Sequence, residues 1–297
     1  MTNHLIAYVI LHYNSIEVTK QCVESIKEYK SHNSRIVIVD NCSPNNTGNE
    51  LKHIYSNNSD ITVLINKENA GFAKGNNIGY LYAKNNLKAD IIVNSNNDVI
   101  FKQNDFEQYI IDTVDNDFSI GVVAPLIVNR NGVYQNPLRL KPYTNKMLFR
   151  HIFTYGLYYI GISTPFVWKK VYAFYYRNIT LSKNANPDII TTLYNIVPHG
   201  SCVIFTPNYV EKSDYAFVPI TFFYAEEDIL FDYMQLLGLR TYFNPYIRVD
   251  HMEGISTSSI STDSRKRMKF IVKNKLLSTI SEYKYRMKYK IRFETKR

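Results

Sequence analysis

Ile91-Ile92-Val93-Asn94-Ser95-Asn96-Asn97-Asp98-Val99 decides how the rest of the chain is read. Three apolar residues and then a polar cluster describe a short strand, buried on both faces, that stops at a solvated edge. Ligands of open α/β sheets gather beyond the carboxyl ends of such strands, so Asp98 stands where a metal or a sugar nucleotide would be held. The competing reading is a turn, because Asn, Ser and Asp bend and cap backbones at the ends of strands. The surrounding sequence decides between them.

Upstream, Leu5 to Leu11, Ile36 to Val39 and Ile61 to Ile65 are apolar runs of strand length, and Ile120 to Ala124 follows downstream. Ser15 precedes Val18, Cys22, Val23 and Ile26 at helical spacing and is a candidate N-cap. A second helix is expected near 47–57. Strands alternating with helices predict a parallel sheet of right-handed crossover units. Between the third and fourth strands, Gly71, Gly75 and Gly79 recur every four residues and line one face of a helix. Each glycine costs a helix roughly 1 kcal/mol against alanine, so the stripe implies close approach to a ligand or to a neighbouring strand. The spacing fits neither a P-loop nor a dinucleotide-binding turn.

Val39-Asp40-Asn41, the stretch Asn69 to Gly79 and Asn96-Asn97-Asp98 are followed by three further pieces. These are Gly200 before an apolar strand, Tyr224-Ala225-Glu226-Glu227-Asp228-Ile229-Leu230, and His251-x-x-Gly254-x-Ser256. In this order they resemble the family-2 inverting glycosyltransferases of the GT-A fold, nearest to the bacterial rhamnosyltransferase-like branch that builds surface polysaccharides. The resemblance covers roughly residues 5–257. It implies an α/β fold of GT-A type, with a Rossmann-like, mainly parallel central sheet flanked by helices, a helical acceptor-side insert and a C-terminal amphipathic helix. The transferase domain would be 1–262, its nucleotide-sugar half ending near 125, with 263–297 a basic extension.

By the same resemblance, Asp40 contacts the nucleotide base, and Asn41, Asn69, Gly71, Gly75, Asn76, Asn97, Gly200 and Arg265 surround the donor. Asp98 and His251 serve a Mg²⁺ or Mn²⁺ ion on the diphosphate. Asn96 stands at the first acidic place of the family's Asp-x-Asp-like element. Glu227 occupies the position of the catalytic base. Ile229 replaces an acid usual in this branch, which leaves Glu226 and Asp228 as further candidates.

The 297 residues are 45% hydrophobic and 21% charged, which excludes wholesale disorder. A net charge of +9 calls for an anionic partner: a phosphorylated ligand, a nucleic acid or an acidic membrane. Three cysteines without metal spacing and no visible signal segment point to the cytoplasm. Basic residues concentrate in 138–180, where Arg139, Lys141, Lys146, Arg150, Lys169, Lys170 and Arg177 interleave with aromatic and aliphatic side chains. The apolar core of this insert, Ile152 to Trp168, is interrupted by Gly156, Gly161 and Pro165 and falls short of the ~20 residues that span a bilayer. It reads as a segment lying on the anionic inner face of a membrane, or as a helical pair covering the acceptor half. From Ser264 onward, Met268, Ile271, Val272, Leu276 and Ile280 predict a helix with one basic face.

The expected partners are a nucleotide-diphosphate sugar and a glycan or lipid-linked acceptor, with no nucleic acid. Two rivals fit less well. A sugar nucleotidyltransferase needs a Gly-rich basic loop where His12-Tyr13-Asn14-Ser15 stands, and a nucleic-acid binder needs a reader motif that this chain lacks.

Overall fold

The computed structural model describes residues 4–31, 33–182, 189–252 and 263–293. The chain opens with β1 (Ile6–His12), α1 (Ile16–Tyr29), β2 (Ser34–Asp40), α2 (Thr47–Ile54), β3 (Ile61–Ile65) and α3 (Gly71–Tyr82), and reaches β4 (Ile91–Asn96) after one π-helical turn. β1 pairs in parallel with β2 and with β4, placing His12 opposite Asp40 and Leu11 opposite Asn96. Three strands therefore finish at one edge, as their apolar-then-polar runs require. Alternate residues serve two cores: Tyr8, Ile10, Ile36 and Ile38 enter one, and Ala7, Val9, Val37 and Val39 the other. Burial on both faces is why these strands carry no polar alternation.

Next come β5 (Val99–Ile100), α4 (Phe106–Asn116), β6 (Ile120–Asn129), α5 (Asn145–Ser163), α6 (Trp168–Ser182) and β7 (Leu193–Tyr194). β8 (Cys202–Phe205), α7 (Pro207–Lys212), α8 (Glu226–Leu237), β9 (Arg240–His251) and α9 (Ser264–Tyr289) complete the order. The sheet runs β3-β2-β1-β4-β8-β6-β9-β5, with β7 on β9. β1 to β4 form a parallel unit, but the whole sheet is mixed. β8 lies between β4 and β6 and runs antiparallel to both, having re-entered the sheet from the other end after the helical excursion.

The glycine stripe packs helix on sheet. A Cβ on Gly79 would lie 2.4 Å from Val9 Cγ1, and one on Gly75 would lie 2.9 Å from Leu11 Cδ1. Gly71, at φ +78°, abuts the backbone of Phe222. Ser15 holds the N-cap position of α1 without a side-chain cap, and only its carbonyl accepts from Thr19 N–H.

The insert is a helical pair, packed on α9 through Ile162, Tyr175, Met268 and Val272. Among the described residues no helix is long and apolar enough to cross a membrane. The expected apolar stripe of α9 holds only for its first turns. Beyond Val272 the buried face is mostly polar, carrying Asn274, Ser278, Thr279, Glu282 and Arg286 beside Tyr285. The cause is the partner surface. Arg286 is fully buried, with Nε 2.6 Å from Asp232 Oδ2 of α8 and Nη2 2.8 Å from Glu282 Oε1. Its Nη1 also donates to the Tyr143 carbonyl. Such a buried network locks α9 onto α8, because deleting one partner would strand the others' charge.

Candidate active site

The pairing of β5 with β9 sets Val99 opposite His251 and so brings Asp98 beside that histidine. His251 Nε2 lies 3.2 Å from Asp98 Oδ1, while Nδ1 faces Gln135 Oε1 at 2.7 Å. With Nδ1–H donating to Gln135, Nε2 keeps a lone pair directed at the carboxylate. Two lone-pair donors facing each other suit a shared cation. No cluster of three or more His, Cys, Asp or Glu side chains able to hold a metal occurs among the described residues. Mg²⁺-type ions are commonly held by one or two protein donors with substrate phosphates and water, so this pair fits such an ion. The Gly254-x-Ser256 part of the motif lies outside the described residues.

The other residues expected around the donor are engaged internally. Asp40 is 2% exposed, accepts from Ser43 Oγ and sits 3.8 Å from His12 Nε2. Asn41 donates to Asn69 Oδ1 and the Gly71 carbonyl, and accepts from Asn66 Nδ2 and Ala70 N–H. It thus clasps the β3–α3 loop to the end of β2. Asn76 accepts from Asn94 Nδ2, and Asn97 donates to Thr19 Oγ1. Arg265 is engaged with α5. Its Nε and Nη2 donate to the carbonyls of Ile162 and Ser163, closing the C-terminal end of α5, where a cation is favoured by the helix dipole.

The three acidic candidates separate cleanly. Tyr224 and Ala225 both take left-handed backbone, φ 73° and 65°, and turn the chain sharply into α8. Glu226 is buried and accepts from Thr221 Oγ1 at 2.9 Å. Asp228 is ion-paired to Arg139. All three line a cavity of ≈ 390 Å³, and Glu227 is the one without a hydroxyl or arginine partner, its Oε1 lying 3.3 Å from the Gly200 N–H. Gly200 is what admits that carboxylate: a Cβ there would stand 2.8 Å from Glu227 Oε1. The sequence reading placed Gly200 beside the donor sugar, whereas its close neighbour here is the candidate base.

Burial raises the proton affinity of Glu227, with Asp228 adding to it and Arg139 opposing. Glu226 is pushed up to about 8 by burial and then by Glu227. His199 also lines the cavity. Its ring lies 5.8 Å from that of His251, and burial followed by His251 lowers it to about 3, so it is neutral. Arg139, His151, His199 and Lys275 line the cavity without having been read as site residues from the sequence, where Arg139 stood only among the basic residues of the insert. Only His199 carried a local signal, its adjacency to Gly200. The others come from the insert and the basic tail and meet only in the fold.

The mannosyltransferase PcManGT of Pyrobaculum calidifontis, solved with GDP-Man and Mn²⁺, is similar with a TM-score of 0.53 at 13% identity, over 97% of this chain and 76% of that one. GalNAc-T7, solved with UDP, GalNAc and Mn²⁺, gives a TM-score of 0.55 at 14% identity, over 85% and 44%. These likenesses show the GT-A fold. The low-salt glycan biosynthesis hexosyltransferase Agl10 of Haloferax volcanii is 26% identical over 147 residues, which are 50% of this chain and 43% of that protein. The chain thus spans less than half the length of this curated relative. The sequence pattern of glycosyl transferase family 2 matches residues 8–176, more than half of the chain, from β1 through the insert. The chain therefore belongs to glycosyl transferase family 2.

Proposed function

We propose that this chain moves a hexosyl or deoxyhexosyl unit from a nucleotide-diphosphate donor to a glycan or lipid-linked glycan acceptor, with inversion, in cell-surface polysaccharide synthesis. One observation carries the reading. Of the three neighbouring acids that line the cavity, Glu227 is the one held by neither a hydroxyl nor an arginine, and His199 on the same wall has its ring 5.8 Å from that of His251 of the Asp98–His251 pair. The acceptor hydroxyl gives its proton to Glu227 as its oxygen attacks the anomeric carbon. The bond to the diphosphate breaks on the opposite face, so the configuration inverts in one displacement. Glu226 is held by Thr221, Asp228 by Arg139 and Glu282 by Arg286, which favours Glu227 as the group that takes the proton. A Mg²⁺ or Mn²⁺ ion held by Asp98 and His251 would offset the charge on the departing diphosphate. The Mn²⁺ and nucleotides in the PcManGT and GalNAc-T7 complexes support this part of the reading.

The outer face of α5 supports attachment to an anionic membrane surface, where lipid-linked acceptors lie. Phe149, Phe153, Leu157 and Ile160 form an exposed stripe on it, in a segment rich in Lys and Arg. The donor half of the proposal is tested by calorimetric titration of UDP-, dTDP- and GDP-sugars with and without Mn²⁺. One of them should bind in a metal-dependent way to the wild type and not to a folded Asp98→Ala variant. Undiminished binding by that variant overturns the metal assignment.

A further inference from the structure

Lys275 reaches the same cavity from α9. Its ammonium lies 5.4 Å from the ring centroid of Tyr224, 5.5 Å from that of Tyr175 and 6.0 Å from that of Tyr155. The three rings come from the turn before α8, from α6 and from α5, so four separate elements converge on one cation. Aromatic faces attract a cation through their quadrupole but do not neutralise its charge.

Among the described residues Lys275 makes no ion pair. Of the cavity's other ionisable groups, Arg139 pairs with Asp228 and Glu282 with Arg286, while burial raises the proton affinity of Glu226 and Glu227 and so disfavours their charged forms. His151, also on the wall, is lowered by burial and then by Arg139, and so offers a hydrogen bond rather than a second positive charge. A half-buried ammonium has lost part of its hydration without gaining a counter-ion, which favours an incoming anion. An acceptor whose hydroxyl reaches Glu227 must extend through this cavity, and so along Lys275.

We propose that Lys275, held by Tyr155, Tyr175 and Tyr224, forms a subsite for an anionic group on the acceptor, either the carboxylate of an acidic sugar or a phosphate ester. The inference rests on the reading above that this cavity receives the acceptor. It makes charge on the acceptor a determinant of specificity.

The test is NMR titration of the full chain with methyl β-D-glucuronide, methyl β-D-glucoside 6-phosphate and neutral methyl β-D-glucoside. One charged probe should bind at least about tenfold more tightly than the neutral one, with a preference that fades as salt rises. Whichever probe shows it identifies the source of the anion. Lys275→Met should abolish the preference and Lys275→Arg should keep it. Lys273→Met, which removes an exposed charge from the same helix, should leave it intact. Equal binding of charged and neutral probes, no binding of either charged probe, or a preference that survives Lys275→Met overturns the proposal. So does a matching loss of UDP or GDP affinity in Lys275→Met, which would assign the lysine to the donor. A chain that binds no nucleotide sugar, yet keeps a Lys275-dependent preference, would strike the glycosyltransferase reading and spare the anion site.

Discussion

Replacing Gly200 by alanine separates a base-positioning role from a donor-binding one. The backbone of Gly200 is not in the left-handed region, so alanine is tolerated there and the fold should persist. The added methyl would stand 2.8 Å from Glu227 Oε1 and 3.3 Å from its Cδ. Ordinary van der Waals contact requires the carboxylate to retreat by about 0.6 Å. A displacement of about 1 Å at a reacting group can cost 10²-fold, so turnover should fall by about ten- to a hundredfold. Release of nucleoside diphosphate with a defined acceptor gives the turnover, and calorimetry gives the donor affinity. Donor affinity should stay near the wild-type value. Wild-type turnover in Gly200→Ala, or a loss of donor affinity that accounts for the fall, would refute the reasoning and return Gly200 to the donor site.

Two further outcomes follow from the charges and the exposed face. Glu226 has its folded-state pKa raised from 4.5 to about 8, so the folded chain keeps a proton that the unfolded chain releases. Its contribution to stability is present in acid and is lost as pH rises through that window, so Glu226→Gln should raise Tm more at about pH 9 than at about pH 5. Equal shifts at both would remove the buried-acid account. On anionic vesicles at low salt, wild-type protein should bind and the Phe153→Glu, Leu157→Glu double variant should not, since both residues are exposed on α5. Retained binding by the double variant would place the contact elsewhere.

What could be read from the sequence follows the range of the interactions. The apolar runs that stop at Asp40 and Asp98 announce parallel strands and a common edge, because burial on both faces leaves a purely local trace. The Glu226 to Asp228 trio is equally visible, but its division of labour is not. That division depends on Thr221, on Arg139 from the start of the insert and on Gly200 from the loop before β8. The direction of β8 is hidden for a related reason, since four apolar residues fit a strand of either sense. The second half of α9 defeats a search for apolar periodicity because its buried face is mostly polar and includes the charged Glu282 and Arg286. Arg286 meets Asp232, 54 positions away in the chain, and nothing beside either residue marks the pair. The contact of Arg265 with two carbonyls of a neighbouring helix is likewise invisible locally, because a basic residue at a helix start suits a phosphate as well as it suits such carbonyls.

The central claim is that Glu227 takes the proton of the acceptor hydroxyl, and turnover of Glu227→Gln tests it most directly. The amide keeps the shape and the Gly200 contact and removes only the proton acceptor. Turnover with a defined acceptor should fall by about 10²–10⁴-fold while donor affinity by calorimetry is unchanged. Wild-type activity should rise with pH as the raised carboxyl of Glu227 ionises, and that rise should vanish from the residual activity of the variant. Near wild-type turnover in Glu227→Gln, with the collapse appearing instead in Glu226→Gln or Asp228→Asn, would contradict the assignment.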